Sequence, residues 1–146
     1  MLEAIEKAVL RLGRPFFGIC VGMQLMGKFG LEHGVTKGFG WVDAKVEALA
    51  PSDKKLKIPH MGWNELNFTM PRHPILADIA PHEHAYFVHS YHIICRQTSD
   101  IVAYVNHGGE ITAAIGRDNM FGTQFLPEKS QKIGLQIIKN FLSWCP

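Results

Sequence analysis

The sequence predicts an α/β protein built in three layers. Three observations carry that reading: an amphipathic segment opens the chain, a short buried-type strand near residue 16 runs directly into a second helix-compatible segment, and strand-like runs in the second half give way to a closing helix.

Leu2, Ile5, Val9 and Leu12 recur at intervals of three and four, which predicts an opening helix that Gly13 terminates. PFFGI is short and apolar and predicts a buried strand, and VGMQLMGKF predicts a helix after it. Glycines and polar residues make Leu31–Gly40 a loop, and the alternation in WVDAKVEAL (41–49) predicts a half-buried strand. PSDKK is a turn, and in LKIPHMGWNEL Pro59 and Gly62 break any regular pattern. RHPILADI suits a short helical turn. AYFVHSYHIIC, DIVAYVN, EITAAIGR and MFGTQF predict four strands. SQKIGLQIIKNFLSW closes the chain as a helix, with Ser130 as N-cap and Ile133, Ile137, Ile138, Phe141 and Leu142 as its core stripe.

At 146 residues the chain suits one domain, 1–146, and 47% apolar with 19% charged residues describes a folded rather than a disordered chain. A net charge of +2, with Lys and Arg scattered, argues against a nucleic-acid or anionic-membrane partner. No apolar run is long enough to span a bilayer, and the N-terminus lacks a signal peptide's apolar stretch. Cys20, Cys95 and Cys145 include no short-spaced pair, which disfavours a disulfide framework or a zinc knuckle and suits a reducing cytosol. The histidines form no HExxH, and His82 and His84 sit in loop-like PHEHA, so neither a metal nor a cofactor is expected.

The chemistry concentrates in GICVG. A cysteine between a strand and a helix, with Gly18 and Gly22 on either side, has the form of a nucleophile elbow. The turn would project the Cys20 side chain, aim the Val21 N–H into the site as an oxyanion donor, and let the helix start favour the thiolate. A small core cysteine after a buried strand accounts for the same residues. A thiol nucleophile needs a base and an orienting carboxylate. QFLPEKSQ supplies Glu128, equally explained as an acid in a helix's first turn, while Leu126 cannot accept a proton.

GICVGMQL, IPHMGWNEL, AYFVHSY and GTQFLPEKSQ, taken together and in order, resemble the class I (triad-type) glutamine amidotransferases. PHMGWN and YFVHSY resemble in particular the glutaminase subunits of imidazole glycerol phosphate synthase. The resemblance runs from about Arg14 to Trp144. It implies a three-layer, flavodoxin-like α/β fold with a mixed sheet. It also implies hydrolysis of glutamine to glutamate and ammonia for channelling to a (βα)8-barrel cyclase partner, in a heterodimer, in histidine biosynthesis. By the same resemblance Cys20 matches the nucleophile, Glu128 the third triad member and Val21 the oxyanion donor. Gln24, Glu32, Ser90 and Tyr91 match residues that hold glutamine. Trp63, Asn64 and Lys129 match the surface that meets the cyclase. Without the resemblance, Gln24 is an exposed helix face, Glu32 a loop charge and Trp63 a core aromatic.

Two departures stand out. The family motif carries histidine where this chain has Leu126, and general acid–base help is worth about a hundred- to ten-thousandfold. His89 is the nearest substitute base, provided its Nε2 reaches the thiol. Second, the family begins with strands and a glycine-rich turn that do not precede Arg14 here, so the domain is expected to lack its N-terminal strands and an oxyanion donor typically worth about 3 kcal/mol. An exposed apolar edge and a tendency to aggregate are expected with it.

The expected function is therefore an impaired glutaminase subunit. The alternatives are a non-catalytic module that binds the cyclase or glutamine, and a fragment without function of its own. A papain-like cysteine hydrolase is a further reading, but GICVGMQ lacks that family's surroundings.

Overall fold

A computed structural model describes the whole chain, Met1–Pro146. Its central sheet runs in the order β1–β11–β10–β9–β6. The strands are β1 (Phe16–Ile19), β6 (Asn67–Phe68), β9 (Ile101–Asn106), β10 (Glu110–Arg117) and β11 (Met120–Thr123). β1 runs parallel to β11 and the other pairs are antiparallel, so the sheet is mixed. A second sheet, β3–β2–β4–β8, joins β2 (Phe29–Gly30), β3 (Thr36–Lys37), β4 (Ala44–Ala48) and β8 (Tyr91–Cys95). A separate pair joins β5 (His60–Glu65) to β7 (His84–His89).

The layers follow from the period-two alternation of strand side chains. Ala114 and Phe121 belong to one apolar cluster with Ile133 and Ile137 of the closing helix α3 (Gln131–Leu142). Their neighbours Ile115 and Met120 belong to the other, with Val9 from the opening segment and Val42, Val46 and Ile93 around the second sheet. The central sheet thus has α3 on one face and the opening helix with the second sheet on the other. β1 pairs with β11 alone and stands at the edge of the sheet.

Several elements differ from expectation, each for a visible reason. The opening helix is α1 (Leu2–Glu6), continued by a wider π-type turn at Lys7–Arg11 that buries only Val9, while Leu2 and Leu12 remain exposed. Gly13 ends it with φ +62°, as expected. The helix after Cys20 stops at Gln24 (α2, Val21–Gln24). The carbonyls of Leu25, Met26 and Gly27 accept instead from the N–H groups of Phe39, Val42 and Gly40, so the following loop takes the bonds a longer helix would need. LKIPHMGWNEL does contain a regular strand, β5, which tolerates Gly62 at φ +120°. AYFVHSYHIIC is two strands, because Ser90 carries the chain from the β5–β7 pair to the second sheet.

In α3, Ile133 and Ile137 are buried with Gly134, whereas Leu142 is 78% exposed and leaves the stripe. Gly134 lies against the Pro127 carbonyl, where a Cβ would not fit, and so docks α3 directly on the Pro127–Lys129 turn. Ser130 precedes the helix but does not cap it: its Oγ accepts from the Tyr86 N–H at 3.0 Å and donates to the Leu126 carbonyl at 2.7 Å.

Candidate active site

Cys20 stands at the corner between β1 and α2 with φ 52° and ψ −111°, a strained backbone for a residue bearing a side chain. Its N–H donates to the Thr123 carbonyl at 2.7 Å, which extends the β1–β11 ladder by one step and ties the corner to β11. The two flanking glycines contribute unequally. A Cβ on Gly18 would lie 2.6 Å from the Gly22 carbonyl oxygen and 2.8 Å from the Met23 nitrogen, so the tight crossing requires glycine there. A Cβ on Gly22 would meet nothing within 4 Å, so it is the backbone of Gly22, rather than its lack of a side chain, that shapes the corner.

Burial raises the Cys20 thiol pKa, and that is the largest effect on it. The Val21 N–H and the Gln124 side chain pull it down, and the Glu128 charge pushes it up again. The expected activation by a helix start is therefore present as the Val21 N–H, but desolvation outweighs it and the four-residue α2 is too short to reverse the balance. The Glu128 charge opposes the thiolate, and Leu126, two residues before it, offers no base to counter it.

Gln124, fully buried, was not foreseen in the sequence. Its Nε2 donates to the Cys20 Sγ at 3.6 Å, and its Oε1 accepts from Gln24 Nε2 at 2.9 Å. Gln24 Nε2 also donates to the Tyr91 carbonyl at 3.0 Å. Both amide hydrogens of Gln24 are thus used inside the protein, leaving its Oε1 as the group free to receive a ligand's donor. The outer side of this cluster is a cavity of about 440 Å³ lined by Val21, Gln24, Glu32, His33 and Lys37 among others. Gln24 and Glu32, expected to hold substrate, share this wall. Ser90 and Tyr91, at the strand switch, do not line this cavity; the Ser90 carbonyl accepts from the Leu49 N–H and the Tyr91 carbonyl from Gln24.

Leu126 and Glu128 sit on the segment that leaves β11 beside Cys20. The Leu126 N–H donates to the Tyr86 carbonyl at 3.0 Å, and the Pro127–Lys129 turn leaves Glu128 exposed. His89 does not act as a base at the sulfur. Its Nδ1 meets the Tyr91 carbonyl at 2.8 Å and its Nε2 meets His60 Nδ1 at 2.9 Å, so both nitrogens are engaged away from the sulfur. Burial pushes the pKa of His89, and likewise of His60, down to about 4.

The residues expected at a partner surface divide by strand alternation. Trp63 points outward and is 48% exposed, edge-on to Tyr86 at 5.8 Å, with Lys129 Nζ 5.8 Å from the Tyr86 ring centre. It is not a core aromatic. Asn64 points the other way: its Nδ2 meets His60 Nε2 at 3.1 Å and donates to the Asn106 carbonyl at 2.9 Å. No grouping of three or more His, Cys, Asp or Glu residues is arranged to hold a metal ion, and no helix is long and apolar enough to cross a membrane.

Comparison with known proteins agrees with this geometry. Residues 1–144 match the glutamine amidotransferase class-I family. The chain is 56% identical over 144 residues to the imidazole glycerol phosphate synthase subunit HisH of Cereibacter sphaeroides, covering 99% of this chain and 68% of that protein. It is 53% identical over 146 residues to the protein of the same name from Rhodospirillum rubrum, covering 100% of this chain and 68% of that protein. Among solved structures, a glutamine amidotransferase from Thermotoga maritima superposes with a TM-score of 0.64 at 15% identity, over 97% of this chain and 52% of that one. Another solved glutamine amidotransferase superposes with a TM-score of 0.65 at 16% identity, over 97% of this chain and 66% of that one. These two likenesses are of fold alone. Motifs, elbow geometry and family match agree, and the chain belongs to the class-I glutamine amidotransferases.

Proposed function

We propose that this chain is a glutaminase-type subunit of imidazole glycerol phosphate synthase that binds glutamine beside Cys20 and forms a cytoplasmic heterodimer with a (βα)8-barrel cyclase. In the reaction it is built around, the Cys20 sulfur attacks the glutamine carboxamide carbon. The C–N bond breaks, ammonia leaves toward the cyclase, and water cleaves the glutamyl thioester to glutamate. The observation that carries this reading is Cys20 at a strained elbow, with the Val21 N–H and Gln124 Nε2 at its sulfur, next in the chain to Val21, which lines a cavity walled also by Gln24 and Glu32. Gln24 Oε1 and the Glu32 carboxylate suit the α-ammonium of an amino acid, and Lys37 suits its carboxylate.

The chemical step is slow. The thiol pKa is raised, Leu126 cannot take its proton, and Glu128 opposes its ionisation. Loss of a general base costs about a hundred- to ten-thousandfold. A second reading, a module that binds glutamine or the cyclase without turnover, rests on the same three facts. Glutamate release in the presence of the cyclase and its ligand separates the two, and protection of Cys20 from alkylation by glutamine tests the binding site itself. A rate equal to that of histidine-bearing relatives would contradict both the impaired-glutaminase and the no-turnover readings.

A further inference from the structure

The geometry points to His60 and His89 as positioning residues for the Cys20 thiol. They carry a hydrogen-bond run of fixed polarity from Asn64, on β5, to the Tyr91 carbonyl, the same acceptor that holds the Gln24–Gln124 pair against the sulfur. The inference rests on Cys20 being the reactive group.

The polarity follows from which atoms can only accept. The Tyr91 carbonyl has no hydrogen to give, so the His89 Nδ1 that lies 2.8 Å from it carries the proton. Both rings are held neutral by burial. His89 Nε2 is then an acceptor, and His60 Nδ1, 2.9 Å away, must donate to it. His60 Nε2 is in turn an acceptor and receives the Asn64 Nδ2 hydrogen at 3.1 Å. The Asn64 amide cannot turn over, because its Oδ1 accepts from the Glu65 N–H at 2.8 Å while its Nδ2 also donates to the Asn106 carbonyl. His60 is clamped between Phe87, at 4.7 Å between ring centres, and His107, at 4.2 Å. Neither imidazole is used in the chemistry at the sulfur, and the line leaves each buried nitrogen satisfied.

On its far side the Tyr91 carbonyl also accepts from Gln24, Gln24 holds the Gln124 Oε1, and Gln124 donates to the sulfur. Two runs thus converge on the Tyr91 carbonyl, one donating from Asn64 through His60 and His89 and the other leading from Gln24 through Gln124 to the sulfur, and within the first run reversing one ring reverses the other. If His60 took its proton on Nε2, His89 would have to donate through its own Nε2 and present a lone pair to the Tyr91 carbonyl. That repulsion displaces the carbonyl from which Gln24 hangs, and Gln124 loses the orientation that aims its N–H at Cys20.

Asn64→Asp tests this, since it keeps the shape and removes the donor. In the unmodified chain, ¹⁵N NMR of the imidazoles should show both His60 and His89 protonated on Nδ1. In the variant those signatures should change, and the pH profile for iodoacetamide alkylation, followed at the peptide bearing Cys20, should move upward, slowing the reaction at neutral pH by about threefold. Asn64→Ala, which removes the donor but supplies no acceptor for a His60 Nε2 proton, should leave both rings protonated on Nδ1, and a tautomer change there would overturn the proposal even if the first variant does not fold. Protons on Nε2 in the unmodified chain overturn the proposal, as do changed imidazole signatures with an unmoved alkylation profile. Loss of glutamine protection at Cys20 in the unmodified chain would instead count against the functional assignment, and the two failures are distinguishable.

Discussion

The Nε2 of Gln124 lies 3.6 Å from the Sγ of Cys20 and is the side-chain donor the sulfur meets, on the segment where Leu126 supplies no base. The relationship arises because β11 runs parallel to β1, pairing Ile19 with Thr123, so that the next residue on each strand comes side by side. A hydrogen bond to a thiolate favours its formation. Gln124→Leu should therefore raise the Cys20 pKa further and slow its alkylation at pH 8 by about three- to tenfold. Mass spectrometry of the Cys20 peptide reads this directly, and an unchanged rate would show that the contact does not reach the sulfur's chemistry.

If residue 126 faces the sulfur, Leu126→His sets an imidazole beside both Cys20 and Glu128. The carboxylate that now opposes the thiolate would then stabilise an imidazolium, and the imidazolium would stabilise the thiolate. Alkylation of Cys20 at pH 7 should accelerate by about tenfold or more, since a paired histidine lowers a thiol pKa by several units in established cases. The alkylation rate isolates this effect from later steps of turnover. No acceleration would mean that the Leu126 position does not face the sulfur.

The two glycines of GICVG should respond oppositely to alanine. Gly18→Ala drives a methyl into the backbone of Gly22 and Met23, and neither can move without breaking the corner. It should cost about 2 kcal/mol or more in urea unfolding and lose Cys20 geometry. Gly22→Ala meets open space on α2 and should be neutral or stabilising by up to about 1 kcal/mol. Equal effects from the two substitutions would refute this asymmetry.

Trp63 on β5, the half-buried Tyr86 on β7 and Lys129 on the Pro127–Lys129 turn form an aromatic and cationic cluster at the surface. If this face meets the cyclase, Trp63 is its best candidate anchor, and Trp63→Ala should weaken binding by about thirtyfold, or about 2 kcal/mol. Titration calorimetry against the cyclase measures it. Affinity within a factor of about two of the unmodified chain would move the interface elsewhere.

The sequence made some of this site legible and hid the rest for identifiable reasons. The elbow was readable because glycine, cysteine and glycine at fixed spacing encode a local backbone shape, and Gly18 does what that shape requires. The length of α2 was not readable, because its would-be continuation loses its carbonyls to Phe39, Gly40 and Val42, partners set by tertiary contact. β5 was obscured by Pro59 and Gly62, although Pro59 lies just before the strand and Gly62 pairs with Phe87 within it. Gln124 escaped notice because a single polar residue in an apolar strand run gives no local sign of what it faces. The motif PHMGWN pointed outward as a block, yet strand alternation sends Trp63 to the surface and Asn64 to His60.

The buried imidazoles also fix how stability depends on pH. His60 and His89 have pKa values pushed down from 6.5 to about 4, mainly by desolvation, and His73 and His92 are lowered for the same reason. In the unfolded chain these rings bind protons as pH falls through about 6.5, while in the folded chain they do not until much lower. The unfolded state therefore binds more protons throughout that window, and stability must fall with falling pH. A ring that stays neutral in the folded chain contributes a slope of at most about 1.4 kcal/mol per pH unit below about 6.5. Chemical unfolding at pH 7.5, 6 and 5 should show the midpoint dropping at each step below 6.5. His60→Gln, which removes one titrating ring, should flatten the slope even where it lowers the stability at pH 7.5. A midpoint that stays constant down to pH 5 would mean that the pair is already protonated or solvated in the folded chain, and the fixed polarity deduced for the Asn64–His60–His89 line would fall with it.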